Sequence, residues 1–180
     1  MSQMSQVKRA MITAVCIALW VVLPMAFHSI QNAGAIFCPM HIPVLLCGLL
    51  VGWPYGLLCG LAGPLLSSLL TGMPAMGYLP CMMVELGAYG LLCGLFMKFV
   101  RTGKIYADLS LVGGLLIGRV IAGLFRALIF SPGSYSLAAW ATGYFVTCLP
   151  GLVIQLVLVP SIVFALMKAR LVPMRYPAKH

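Results

Sequence analysis

Apolar residues fill long runs of this chain, and short segments rich in Gly, Pro and polar residues separate the runs. A helix that crosses the hydrocarbon core of a membrane needs about 20 residues. Cutting the chain at its turn residues therefore predicts an all-α integral membrane protein, a six-helix bundle in one domain that takes in residues 1–180. The predicted spans are about 9–27, 41–53, 55–71, 79–100, 109–130 and 142–168.

Basic residues predict the orientation of these spans. With the N-terminus inside, the loop after the fourth span and the tail after the sixth are cytoplasmic, and they hold Lys98, Arg101, Lys104, Lys168, Arg170, Arg175 and Lys179. The segments predicted outside, 28–40, 72–78 and 131–141, contain no Lys or Arg. Both termini are therefore predicted to be cytoplasmic, as the positive-inside rule requires. Merging the second and third spans would break this agreement, which favours a turn at Trp53-Pro54-Tyr55-Gly56.

Composition agrees with a membrane protein, because 63% of the residues are hydrophobic and 7% are charged. Soluble domains have about 25% charged residues. The net charge of +9 is explained by topology, so it does not indicate a nucleic-acid partner. The seven cysteines form no C-x-x-C pair and are interpreted as small buried residues, not as a disulfide framework or a zinc site.

Small residues recur along the first span at Ala10, Ala14 and Ala18, on one helical face. Such a face allows another helix to approach closely. That helix belongs either to a partner protein or to the same bundle, and the spacing does not distinguish the two.

Glycines and prolines interrupt the second and third spans repeatedly between Pro43 and Pro64. Irregular backbone at membrane depth is tolerated where it is buried or lines a cavity. At the outer end of the third span, Ser67, Ser68 and Thr71 form a polar face, unless their hydroxyls bond their own helix.

Three charged residues lie inside predicted spans: Glu85 in the fourth, and Arg119 and Arg126, seven residues apart on one face, in the fifth. Charges within the membrane mark functional sites by default, although a Glu–Arg pair can also lock two helices together. One carboxylate cannot neutralise two arginines, so the remaining positive charge predicts a substrate with a carboxylate or phosphate group.

Other polar residues of the spans fit structural roles. Trp140 and Tyr144 fit an interfacial aromatic belt, and Gln155 is placed to bond across helices. His28, Cys38, Met40 and His41, near the first outside loop, provide soft and imidazole groups that could hold haem iron or a transition metal. The favoured interpretation is that Cys38 and Met40 pack while His41 caps or bonds within the second helix, and the prediction is a protein without a metal or cofactor.

No sequence motif indicates an enzyme. The chain lacks the G-x-x-x-x-G-K-[ST] loop of ATPases and the G-x-S-x-G and H-E-x-x-H motifs of hydrolases.

Over nearly its whole length the sequence resembles the substrate-binding S-component of an energy-coupling factor (ECF) transporter. The resemblance rests on six spans in about 180 residues, on the alanine repeat, and on the pattern PMHIPVLLCGLLVGWPYG, GPLLSSLLTGMP and ELGAYGLLCGL. It implies uptake of a vitamin or related micronutrient across a prokaryotic plasma membrane, by toppling of the S-component. The implied partners are a transmembrane coupling subunit and two cytoplasmic ATPase subunits.

The resemblance also implies roles for parts of this chain. Ala10, Ala14 and Ala18 would dock the coupling subunit, and the segment from His28 to His41 would cover the ligand. By position, charge and depth, the expected substrate-binding residues are His28, Met40, His41, Glu85, Arg119 and Arg126. No motif in the chain matches a particular vitamin.

Overall fold

The computed structural model describes residues 4–26, 33–99, 104–130, 132–133 and 135–172, which form helices and no β-strand. In chain order the helices are α1 (Gln6–Ala26), α2 (Ala33–Phe37), α3 (His41–Val51), α4 (Trp53–Thr71), α5 (Leu79–Phe99), α6 (Lys104–Phe125), α7 (Leu137–Ala141) and α8 (Leu149–Lys168). The π-helical segments Arg126–Phe130 and Thr142–Thr147 continue α6 and α7.

Six stretches of the described chain are long and apolar enough to cross a membrane. They are Gln6–Ala26, Gly34–Val51, Trp53–Thr71, Leu79–Lys98, Asp108–Ile129 and Leu149–Lys168. The predicted all-α bundle with six spans is therefore confirmed. Because the chain reverses direction at each turn, the start of α3, the start of α5 and the end of α6 lie at one end of the bundle. This end is the one that the positive-inside rule predicts to be outside.

The central helix is α3, which is buried from Pro43 to Val51. Helices α1, α4, α5 and α8 surround it. The largest fully buried apolar side chains are Trp20, Tyr89, Leu45, Leu49, Leu86, Leu111 and Leu115. The outer helices expose apolar side chains around the circumference of the bundle, as a surface in contact with lipid requires.

Helices α3 and α4 are separated by one residue, Gly52, which has φ 114° and ψ 174°. This backbone conformation is open to glycine and strained for other residues. The turn therefore lies just before the predicted Trp53-Pro54-Tyr55-Gly56 segment, and Trp53 already begins α4. Pro54 fits the first helical turn, where a backbone N–H has no intrahelical partner.

Glycines bring α4 and α5 into backbone contact. A Cβ on Gly60 would lie 2.5 Å from the carbonyl oxygen of Leu86, and a Cβ on Gly90 would collide with the carbonyl oxygen of Gly56. A Cβ on Gly48 of α3 would lie 2.7 Å from the carbonyl oxygen of Gly90. Small residues are what such close helix packing requires.

At the predicted outer end, several helices break. Cys38, with φ 46°, turns the chain between α2 and α3, and the last predicted span is divided by the π-helical segment before α8. The hydroxyls of Ser67 and Ser68 donate to the carbonyl oxygens of Met73 and Pro74, each at 2.8 Å. These hydroxyls therefore hold the loop that connects α4 to α5.

Replacing Gly90 with alanine should destabilise the bundle, because the added methyl group meets backbone atoms that cannot move aside. Overpacking of this kind costs about 1–3 kcal/mol. Thermal unfolding of the detergent-solubilised protein measures the effect. Gly77→Ala is the matched control, because a Cβ on Gly77 has no atom within 4 Å. Equal melting temperatures for the two variants would contradict the packing described here.

Candidate functional site

A cavity of about 530 Å³ opens at the predicted outer end of the bundle. Its wall is formed by α2, the start of α3, the first turns of α5, the second half of α6 and the chain from Tyr135 to Cys148. The lining residues are Gly34, Ala35, Cys38, His41, Tyr78, Met82, Glu85, Arg119, Arg126, Tyr135, Ala139, Gly143, Tyr144, Thr147 and Cys148. The breaks at Cys38 and in the π-helical segment before α8 thus border the space.

Glu85 is buried in the wall of this cavity and accepts three hydrogen bonds. The hydroxyls of Tyr89 and Tyr144 donate to its carboxylate at 3.0 and 3.1 Å, and the Nε2 atom of His41 lies 3.3 Å from it. Because a carboxylate only accepts, Nε2 carries a proton, and the contact is an ion pair whenever the imidazole is charged. These bonds satisfy the carboxylate and join α3, α5 and the chain after α7.

The alternative in which Glu85 pairs with an arginine does not match this geometry. Among the described residues, the salt-bridge partner of Glu85 is His41. The charges of Arg119 and Arg126 are therefore left for other partners.

Arg119 is the most deeply buried charged residue of the site, with 1% of its surface exposed. Its Nε and Nη1 atoms have no hydrogen-bond partner among the described residues. The guanidinium carbon lies 5.4 Å from the centre of the Phe145 ring, and Trp140 donates to the backbone carbonyl oxygen of Arg119 at 3.1 Å. The Phe145 ring thus packs against the guanidinium, while two of its nitrogen atoms have no partner among the described residues.

Arg126 lies nearer the mouth of the cavity, at the first residue of the π-helical segment. Its guanidinium carbon is 5.2 Å from the ring centres of both Tyr78 and Tyr135, and Nη1 donates to the Tyr78 hydroxyl at 3.2 Å. Burial raises the pKa of Tyr78 to about 12 and also raises the pKa of Tyr135. Both phenols are therefore neutral at physiological pH, and the charge of Arg126 is not cancelled by its neighbours.

The structure brings together four of the predicted substrate-binding residues, His41, Glu85, Arg119 and Arg126, in one cavity wall. Met40 packs in the apolar core and is not part of that wall. His28 lies outside the described residues.

Several residues of the site were not expected from the sequence. Tyr144 points to Glu85 and not to an interfacial belt, while Tyr78 and Tyr135 flank Arg126. Gln155 does bond across helices, donating to the carbonyl oxygen of Cys38 at 3.4 Å. The sequence around a tyrosine in an apolar span does not show whether its ring only packs or its hydroxyl also donates a hydrogen bond. The available signal was the intramembrane Glu85, whose carboxylate needs buried donors nearby.

The described residues contain no group of three or more His, Cys, Asp and Glu side chains placed to hold a metal ion. Cys38 and His41 both line the cavity, but they are not joined there by a third such ligand.

Ala10, Ala14 and Ala18 are all exposed on α1. The buried face of the same helix carries Thr13, Cys16 and Trp20. The alanine face is therefore not covered by another helix of the described bundle.

The sequence model of a protein family, the ECF transporter substrate-specific component, matches residues 8–171 of the chain. The chain belongs to this family. No curated protein and no solved structure gives a significant match. As an S-component, the protein is a substrate-binding transport subunit and not an enzyme, and membership implies that it works with an ECF module and a small-molecule substrate.

Replacing Glu85 with alanine should destabilise this S-component strongly, because three buried donors lose their common acceptor. Removing one partner of a buried charge pair costs about 3–5 kcal/mol. Thermal unfolding in detergent checks this expectation. Asp108→Ala serves as control, since Asp108 is exposed. If Glu85→Ala melts at the wild-type temperature, the three hydrogen bonds do not hold the site together.

Proposed function

We propose that this S-component captures a small anionic micronutrient, a vitamin or a related compound, on the outer face of a prokaryotic plasma membrane. The observation that carries the proposal is Arg119, a buried guanidinium in the cavity wall with two unpartnered nitrogen atoms.

An anion is favoured by the charge balance of the cavity. Arg119 and Arg126 contribute two positive charges, whereas Glu85, the carboxylate in the wall, is already bonded to His41, Tyr89 and Tyr144. An uncompensated charge in a low-dielectric environment costs several kcal/mol. A carboxylate or phosphate at Arg119 would remove much of this cost. Neutralising the buried charge would therefore favour binding of an anion.

The size of the cavity fits a vitamin-sized molecule. Its volume of about 530 Å³ falls inside the range of about 300–1,000 Å³ that is typical of small-molecule sites. Aromatic rings at Tyr78, Tyr135 and Tyr144 provide apolar contact area next to the two guanidinium groups. A compact molecule with an acidic group and an apolar or planar body matches this wall.

Delivery would use the exposed alanine face of α1. Ala10, Ala14 and Ala18 allow a helix of the transmembrane coupling subunit to approach closely, and two ATPase subunits bound to that subunit would drive the cycle. Toppling requires a lateral surface that can rotate through the hydrocarbon core at a low free-energy cost. Glu85 and Arg119 are buried and Arg126 lines the cavity, so these three charges, unlike those at the ends of the spans, avoid the lipid-facing surface.

Replacing Arg119 or Arg126 with glutamine should weaken substrate retention, because each change removes one positive charge from the cavity. Native mass spectrometry of gently purified protein measures the fraction that carries a small anionic molecule. We expect retention in the wild type and loss in Arg119→Gln above all. The control is Arg170→Gln, which alters an exposed arginine after α8. Wild-type retention by both cavity variants would contradict an anionic substrate.

Replacing Ala14 with tryptophan should abolish co-purification with the coupling and ATPase subunits, because the indole fills the groove that a partner helix would occupy. The control is Val157→Trp, at a position on α8 that is 64% exposed and lies off the alanine face. Affinity purification after co-expression is the measurement. Equal recovery of partner subunits with both variants would refute docking at α1.

A further inference from the structure

Two thiols meet in the wall of the cavity. The Sγ atoms of Cys38 and Cys148 both donate to the carbonyl oxygen of Ala35, at 3.4 and 3.1 Å. Cys148 makes one more contact, to the carbonyl oxygen of Gly143 at 3.1 Å. Residues 110 positions apart in the chain therefore present a pair of sulfurs at the same point.

The pair joins two parts of the cavity wall. Cys38 forms the bend between α2 and α3, and Cys148 immediately precedes α8. The end of α2 lies directly over the start of α8, since a Cβ on Gly151 would be 2.6 Å from the carbonyl oxygen of Phe37. A covalent bond between the two sulfurs would thus tie α2 to α8 without moving either helix far.

The other cysteines of the chain differ in access. Cys16, Cys47 and Cys59 are buried in the core and do not line the cavity. Cys148 is the free cysteine that is partly exposed, and it lines the cavity. A reagent entering from outside therefore reaches Cys148 first, and Cys38 needs no exposure of its own because it reacts with its neighbour.

We propose that Cys38 and Cys148 form a redox-active pair whose disulfide locks α2 against α8 in the cavity wall. The oxidant is a low-molecular-weight disulfide, RSSR. The Cys148 thiolate attacks one sulfur of RSSR, and the first RSH leaves as the mixed disulfide forms. The Cys38 sulfur then attacks Cys148, and the second RSH leaves, so the two thiol protons end on the two RSH molecules. The inference rests on the proposed function in treating this cavity as the substrate site, but its chemistry is independent of any substrate.

Oxidised glutathione tests the pair directly on the purified full-length protein. Differential alkylation and peptide mass spectrometry should show loss of two of the seven thiols, with Cys38 linked to Cys148 and reversal by dithiothreitol. Cys38→Ser should trap glutathione on Cys148, Cys148→Ser should give no linkage, and the control Cys81→Ser should behave as the wild type. Retention of all seven thiols, or linkage of another pair, would overturn the proposal.

Hydrogen exchange tests the mechanical consequence without a substrate. Oxidation should slow amide exchange in residues 33–40 of the wild type, and a Cys38→Ser, Cys148→Ser double variant should show no change. If the disulfide forms and exchange in this segment stays the same, the locking role is wrong. Because neither readout depends on a ligand, failure here is distinct from failure of the proposed transport function.

Discussion

A carboxylate buried inside a membrane needs hydrogen-bond donors, and the way Glu85 obtains them organises this protein. Its donors come from three places, His41 at the start of α3, Tyr89 on the same helix as Glu85, and Tyr144 after α7. Satisfying this one group therefore fixes three walls of the cavity relative to one another. It also uses up the carboxylate, so the guanidinium of Arg119 keeps unpartnered nitrogen atoms beside the same space. The site keeps positive charge because the Glu85 carboxylate is bonded to other donors and not to the arginines.

The cavity exists because the helices around it are irregular. Gly52 allows the chain to turn sharply between α3 and α4. Glycines at the α4–α5 contact let those two helices pack backbone to backbone. These glycine contacts pack the helices tightly. At the predicted outer end, the breaks at Cys38 and at the two π-helical segments leave room for the cavity. One backbone group at these breaks, the carbonyl oxygen of Cys38, accepts a hydrogen bond from Gln155, as backbone at membrane depth requires.

The sequence predicted the features that depend on composition and charge. Six spans follow from the apolar runs and the distribution of Lys and Arg, and the rarity of charge within the spans singled out Glu85, Arg119 and Arg126. The partner of Glu85 was not predictable in this way, since charge counting favours an arginine whereas helix register places His41 within reach. The π-helical segments were also missed, because one extra residue per turn hardly changes an apolar pattern. Tyr78 and Tyr135 belong to the site because their rings contact the guanidinium of Arg126.

We propose that Arg119 selects an anionic substrate in a cavity whose wall is held together by the hydrogen bonds of Glu85. A structure of the protein purified with its substrate bound tests this claim most directly. We expect the acidic group of the bound molecule within about 3.2 Å of Nε or Nη1 of Arg119, with the three hydrogen bonds of Glu85 intact. A substrate bound elsewhere, or one that turns a neutral or cationic group toward Arg119, would contradict the account.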